Sequence, residues 1–286
     1  MSIFQTLHPV RAHVLTIFWP LDDWDQFPDD TGKSYLAVAK LYFDDIIESH
    51  ALSAMRVMAL LALYFTFEKR ISSLVYVDSG LSIARAQMVD MMIPTAETLK
   101  WKRTWSSLIF LSCWISATTG QFPPQINHTF HPSMLNYGIS ANSTTDVVQF
   151  EMCKVALITG RILRDIYHQP NVDTNLVNVC KAELETWLFS LPQFMRIDSL
   201  GTNGSNEIPI QAICLIHLFY LTTTMLIYRR ILSEFANRPE SLISSNTMED
   251  VKNHLDACLW SSRQASRILN VAMLNGAVTR KSWMFM

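Results

Sequence analysis

Residues 101–126 read WKRTWSSLIFLSCWISATTGQFPPQI. Trp101, Trp105, Leu108, Ile109, Ser112 and Ile115 recur at steps of three and four, the repeat of a helix face. Lys100 and Arg103 fall on the other side, so the basic residues between the tryptophans read as a solvated face and not as a base-stacking platform. Gly120 stands where this helix must end, as a left-handed C-cap that a side chain would disfavour by about 1 kcal/mol. Pro123 and Pro124 lack the amide donor that a further helical turn needs. The stretch is therefore a long core helix with a sharp exit.

The same period runs outward in both directions. Leu36, Ala39, Phe43, Ile46 and Ile47 form one stripe behind a candidate cap at Ser34, and Met55, Met58, Leu61, Ala62 and Phe65 form another. Ile71, Leu74, Val75, Leu81, Ala84 and Met88 make a third, ended by Pro94. Beyond the prolines come Val148, Met152, Val155, Ile162 and Ile166, then Leu176, Val179, Cys180 and Leu188. The apolar stretch 210–236 follows, and last Val251, Leu255, Cys258, Ala265, Ile268 and Leu269. No segment alternates with period two, and the chain has only 8 Gly and 11 Pro, few for many tight turns. The predicted class is all-α: a single compact domain of about eight or more helices over residues 35–275, after a partly irregular segment 1–34 and before a tail 276–286.

Composition excludes several classes of function. Of the 286 residues 49% are hydrophobic and 17% charged, which rules out disorder for the bulk of the chain. Lys and Arg number 23 against 25 Asp and Glu, so no basic balance marks a nucleic-acid surface. Cys113, Cys153, Cys180, Cys214 and Cys258 are widely scattered, with no pair at metal-ligand spacing, and read as buried thiols in a reducing compartment. No signal peptide opens the sequence. Residues 210–228 are uncharged but contain Gln211, His217 and three consecutive threonines, and read as the central helix of a large all-α domain rather than a membrane span.

Candidate chemistry is sparse. Asp44, Asp45 and Glu48 suit a magnesium clamp of the kind found in all-α isoprenoid (terpene synthase-like) enzymes, since Asp44 and Glu48 share a helix face. That chemistry needs a second site, and the nearest pattern, Asn175, Val179 and Glu183, has Val where a hydroxyl belongs. The three acids also lie opposite an apolar stripe, where a solvated face is the simpler account. His128 and His131 read as surface loop, Asp22, Asp23, Asp25, Asp29 and Asp30 as a solvated acidic segment, and His217 as a hydrogen-bonded core histidine. No catalytic, cofactor or metal residue is assigned, and the expectation is a protein that is not an enzyme.

Four stretches taken in order carry a resemblance. They are Ala59–Tyr64; Gly80-Leu81-Ser82-Ile83-Ala84-Arg85-Ala86-Gln87; Lys102-Arg103-Thr104-Trp105 running on to Gly120, Pro123, Pro124 and Ile126; and Leu215–Arg230, followed by Cys258, Ala265 and Ile268. Together they resemble the regulatory, or middle homology, domain of fungal-specific transcription factors of the binuclear zinc cluster family. Gln121-Phe122 stands where that family has an Arg, and no Pro follows Arg230. The resemblance implies an all-helical regulatory domain, structural roles for Gly80, Arg85, Arg103, Trp105, Gly120, Pro123, Pro124 and Ile126, and a nuclear location. It implies action through other transcription proteins, a homodimer partner or a small apolar effector. The family's six-cysteine zinc cluster is missing from this sequence, so zinc is not expected, and DNA is expected to be reached only through a partner or a cluster lost from the chain. A truncated product without independent activity is the remaining alternative.

Overall fold

A computed structural model describes residues 36–39, 41–68, 70–93, 95–121, 144–169, 172–201, 210–237 and 245–274. The helices are α1 (Phe43–Ser49), α2 (Ala51–Phe67), α3 (Ser72–Ala86), α4 (Thr98–Thr119), α5 (Thr144–Ile162), α6 (Thr174–Ser190), α7 (Ile210–Ala236) and α8 (Ser245–Leu274). A π turn, Leu163–Tyr167, prolongs α5, and short 3-10 turns lie at Val89–Met91, Gln193–Met195 and Ile197–Gly201. Among the described residues there is no strand, and the class is all-α.

α4 is the axis of the body. Every residue from 104 to 116 is buried, so the helix is enclosed on all sides and not only along its aromatic stripe. α2 and α3 cover one flank and α5 the other. Small residues make this enclosure possible. Ser106 and Ser107 on α4 face Cys153 and Gln149 of α5, where the Cys153 thiol donates to the Ser106 carbonyl and Gln149 Nε2 donates to Ser107 Oγ at 2.9 Å. The hydroxyls of Thr104, Ser106 and Ser107 bond to carbonyls one turn back, so they enter the core without stranded donors. Gly120 ends α4 with φ 68°, ψ 18°, and its amide bonds the Ser116 carbonyl. Trp105 is 6% exposed, within the main core.

α7 is the second centre. Residues 212–219 are buried without interruption, beneath α5, α6 and α8. By length and composition it could cross a membrane, and 61% of the window that meets that test is buried inside the protein. A buried Thr159–Thr223 hydroxyl pair, 2.6 Å apart, ties it to α5. α8 packs on α7 through a smaller satellite cluster of Cys214, Leu218, Leu221, Ala265, Ile268 and Ala272.

Several stripe positions are corrected by the packing. In α3 the inward face is Ser73, Leu74, Val77, Gly80, Leu81 and Ala84, while Ile71 and Val75 are exposed. The small residues Ser73 and Gly80 hold core positions that hydrophobicity alone assigns to their larger neighbours. Met88 is exposed in a left-handed conformation, φ 51°, because α3 stops at Ala86, ahead of Pro94. In α6, Val177, Cys180, Leu184 and Trp187 face inward and Val179 outward. In α8, Leu255 faces outward because Ser261, Ala265, Ile268 and Ala272 form the contact line, and Ile47 on α1 is likewise exposed. Ser34, the 1–34 segment and the 276–286 tail lie outside the described residues.

Candidate functional site

The densest buried chemistry lies where α6 crosses α5. Glu151 is 6% exposed, yet both carboxylate oxygens are engaged. The Trp187 indole Nε1 donates to Oε2 at 2.9 Å and Lys154 Nζ donates to Oε1 at 2.8 Å. The same ammonium lies 4.3 Å from the centre of the Phe150 ring, so its charge is held by both a carboxylate and a π face. Two turns along α5, the Arg161 guanidinium forks onto Glu183 of α6. Arg164 makes a second fork onto Asp165 within the π turn. Cys180 sits against Arg161, but burial dominates and holds its thiol above the ordinary value. This is a lock between helices: each acid is saturated by a fixed donor, and such bidentate pairs favour geometry over reactivity.

A second polar contact fixes α3 to α4. Lys102 is 5% exposed, its ammonium donating to the Asp90 carbonyl at 3.3 Å in the 3-10 turn. Burial lowers the pKa of that amine, and the nearby Asp90 charge opposes the shift. Its neighbour Arg103 turns outward and pairs with Asp146 at the start of α5. His217 lies under the Gln193–Met195 turn, with Nε2–H donating to the Met195 carbonyl at 3.2 Å. Burial depresses its pKa, the carbonyl bond acting the other way, so it is a neutral core imidazole.

The residues singled out from sequence do not converge. Asp44, Asp45 and Glu48 stand on the exposed face of α1, which packs on α2. Of the second pattern, Asn175 lends its backbone amide to the Asp173 cap of α6, Val179 is 58% exposed, and Glu183 is held by Arg161. Gly80 lies in the α2–α3–α4 contact, Arg85 is exposed in the last turn of α3, Arg103 pairs at the surface, Trp105 is core and Gly120 ends α4. Pro123, Pro124, Ile126, His128, His131 and the acidic residues between 22 and 30 lie outside the described residues.

The cysteines are dispersed. Cys113, Cys153, Cys180, Cys214 and Cys258 occupy five different helices, α4 to α8, and among the described residues no three His, Cys, Asp or Glu side chains gather to hold an ion. Burial drives the thiols of Cys113 and Cys153 far upward, so both are protonated core groups.

Sequence reasoning missed Glu151, Trp187 and the burial of Lys102. Trp187 was findable, because Val177, Cys180, Leu184 and Trp187 step by three and four. For Glu151 and Lys102 no such signal exists, since a charged residue enters a core only through partners on other helices.

Comparison with known proteins gives one match of note. The chain is 27% identical, over 191 residues and 60% of its length, to a Schizosaccharomyces pombe protein named as an uncharacterized transcriptional regulatory protein. It spans about a quarter of that relative, 24%. No family profile matches the chain. No solved structure matches it.

Proposed function

We propose that this helical body is the regulatory part of a transcription regulator, acting in the nucleus through protein partners or an apolar effector, and not an enzyme. The carrying observation is the similarity over 60% of the chain to a protein named as a transcriptional regulator. The fold is consistent with it: interlocked helices whose packing a ligand or partner can bias between two arrangements. The resemblance of residues 35–270 to the middle homology domain of fungal-specific transcription factors points the same way. Two features weigh against the isoprenoid-enzyme alternative, the outward setting of Asp44, Asp45 and Glu48 and the capture of Glu183 by Arg161. DNA contact belongs to a partner or to another part of the protein, because base readout requires a positioned, basic reader.

The test is to fuse the 286-residue chain to an unrelated DNA-binding domain upstream of a reporter in yeast. The expected result is a several-fold change in reporter transcription, up or down, against the DNA-binding domain alone. An expressed, nuclear fusion that leaves the reporter unchanged refutes the proposal. Magnesium-dependent release of diphosphate from a prenyl diphosphate, lost on changing Asp44, Asp45 and Glu48 to amides, would put the enzyme in its place.

A further inference from the structure

We propose that Lys181, Tyr228 and His254, one residue each from α6, α7 and α8, form a binding site for a tetrahedral oxyanion, either free phosphate or the phosphate group of a small monoester. The three side chains meet around one ring. Lys181 Nζ lies 5.2 Å from the centre of the Tyr228 ring. The centre of the His254 ring lies 5.6 Å from the same point, the two planes inclined at 37°. Tyr228 is buried, whereas Lys181 and His254 are half-buried and remain within reach of solvent. The site stands apart from the regulatory role proposed above, and its test reads binding rather than transcription.

Donors without acceptors mark the site. Among the described residues neither the Lys181 ammonium nor a His254 ring nitrogen has a hydrogen bond or an ion pair, and the Tyr228 hydroxyl has no hydrogen bond. Elsewhere half-buried cations are captured by acids, Lys154 by Glu151, Arg161 by Glu183 and Arg164 by Asp165. At Tyr228 two groups able to carry positive charge are instead brought together. Burial and then the Lys181 charge depress the pKa of His254, and Asp250, one turn back on α8, acts the other way. Asp250 is exposed and forms no ion pair with either group. The contact with the ring attracts the Lys181 ammonium but leaves its N–H groups without an acceptor. An anion between Lys181 and His254 supplies that acceptor and relieves their mutual repulsion through charge-assisted hydrogen bonds. The donors come from three helices, and so from different directions, which suits the four oxygens of a tetrahedral anion better than a flat carboxylate. α6 and α8 each pack on α7, so one ligand held between Lys181 and His254 links both and can bias how this corner packs. An anion also favours the imidazolium, so binding should raise the His254 pKa. The groups that bear on that imidazole are Lys181 from α6, the Tyr228 ring from α7 and Asp250 on α8 itself.

The test is an NMR titration of the full chain that follows the His254 ring resonances. The probes are inorganic phosphate and methyl phosphate, with chloride at equal ionic strength as the control. Saturable shifts are expected, with a dissociation constant of about 1–10 mM for so few contacts. Tighter binding of methyl phosphate assigns the site to an ester, and tighter binding of phosphate assigns it to the free ion. Lys181→Gln should weaken either probe at least ~5-fold, Tyr228→Phe should weaken it less, and Lys181→Arg should largely retain it. Sulfate, whose charge is fixed over the range, should bind at least ~3-fold more tightly at pH 5.5 than at pH 7.5, as the imidazole gains its proton. Phosphate should raise the melting temperature of the parent chain and not that of His254→Gln. Lys181 and His254 are reached by solvent, and cooperative circular dichroism melts in chloride show that the variants keep the fold. Shifts that chloride reproduces, no saturation up to ~50 mM, or an affinity indifferent to Lys181→Gln overturns the proposal.

Discussion

Gly80 offers the sharpest test of the packing around α4, because its replacement by Ala has opposite expected signs in a free helix and in this one. In the interior of an exposed helix Gly→Ala stabilises by about 1 kcal/mol, through helix propensity and a less flexible unfolded chain. At Gly80 a Cβ would stand 2.9 Å and 3.0 Å from the two methyls of Leu108 and 3.2 Å from Met58 Cβ. The Leu108 methyls end a side chain with no exposed surface, and Met58 Cβ is fixed by the α2 backbone, so neither neighbour can yield freely. Forcing a methyl into such a contact costs about 1–3 kcal/mol, which offsets or exceeds the propensity gain. Gly80→Ala should therefore range from neutral to about 2 kcal/mol destabilising, and Gly80→Val should be worse. The cause is isolated by adding Leu108→Ala, which alone should cost about 3–5 kcal/mol by opening a cavity. In that background the new methyl enters vacated space and Gly80→Ala should become stabilising, a coupling of about 1–3 kcal/mol in a double-mutant cycle. Urea unfolding followed by far-UV circular dichroism measures all four proteins. If Gly80→Ala stabilises the parent chain by about 1 kcal/mol, and does so equally beside Leu108→Ala, α3 does not press on α4 as described.

Trp105→Ala should destabilise by roughly 3–5 kcal/mol as lost burial plus cavity, and a urea midpoint close to that of the parent would contradict its place in the core. Glu151→Ala strands the Trp187 indole donor and the Lys154 ammonium and should cost about 1–3 kcal/mol, whereas Glu151→Gln keeps an acceptor for the indole and should cost less; equal losses would mean that the hydrogen bond contributes nothing. His217 and His254 both titrate below the ordinary value of 6.5 in the folded chain, His217 through burial and His254 through burial and the Lys181 charge. The unfolded chain therefore binds more protons just below that value, and stability should fall as the pH drops through this window, with the fall reduced in His217→Gln. A melting temperature that is flat or rises across the same window would refute this sign.

Helix formation was legible in the sequence wherever burial follows from residue type. The 101–126 stretch carries its own period, its own stop at Gly120 and proline exits, all of them local chemistry, and α4 ends at Gly120 in the left-handed turn expected there. The same holds for Val148, Met152, Val155, Ile162 and Ile166, each buried as its spacing requires. The face a helix presents was less legible where small or charged residues do the packing. Gly80 takes a core position beside an exposed Val75 because α2 and α4 come close enough to exclude a side chain there. Lys102 is buried and Arg103 exposed because the acceptor for the ammonium, the Asp90 carbonyl, is delivered by a turn that only the folded chain sets in place. Glu151 is tolerated in the interior because α6, arriving from far along the sequence, supplies Trp187. Hydrophobic period is a property of neighbouring residues, and so sequence alone determined that this chain is a set of helices. Partnership is a property of distant ones, and so only the tertiary structure decided which charges enter the core.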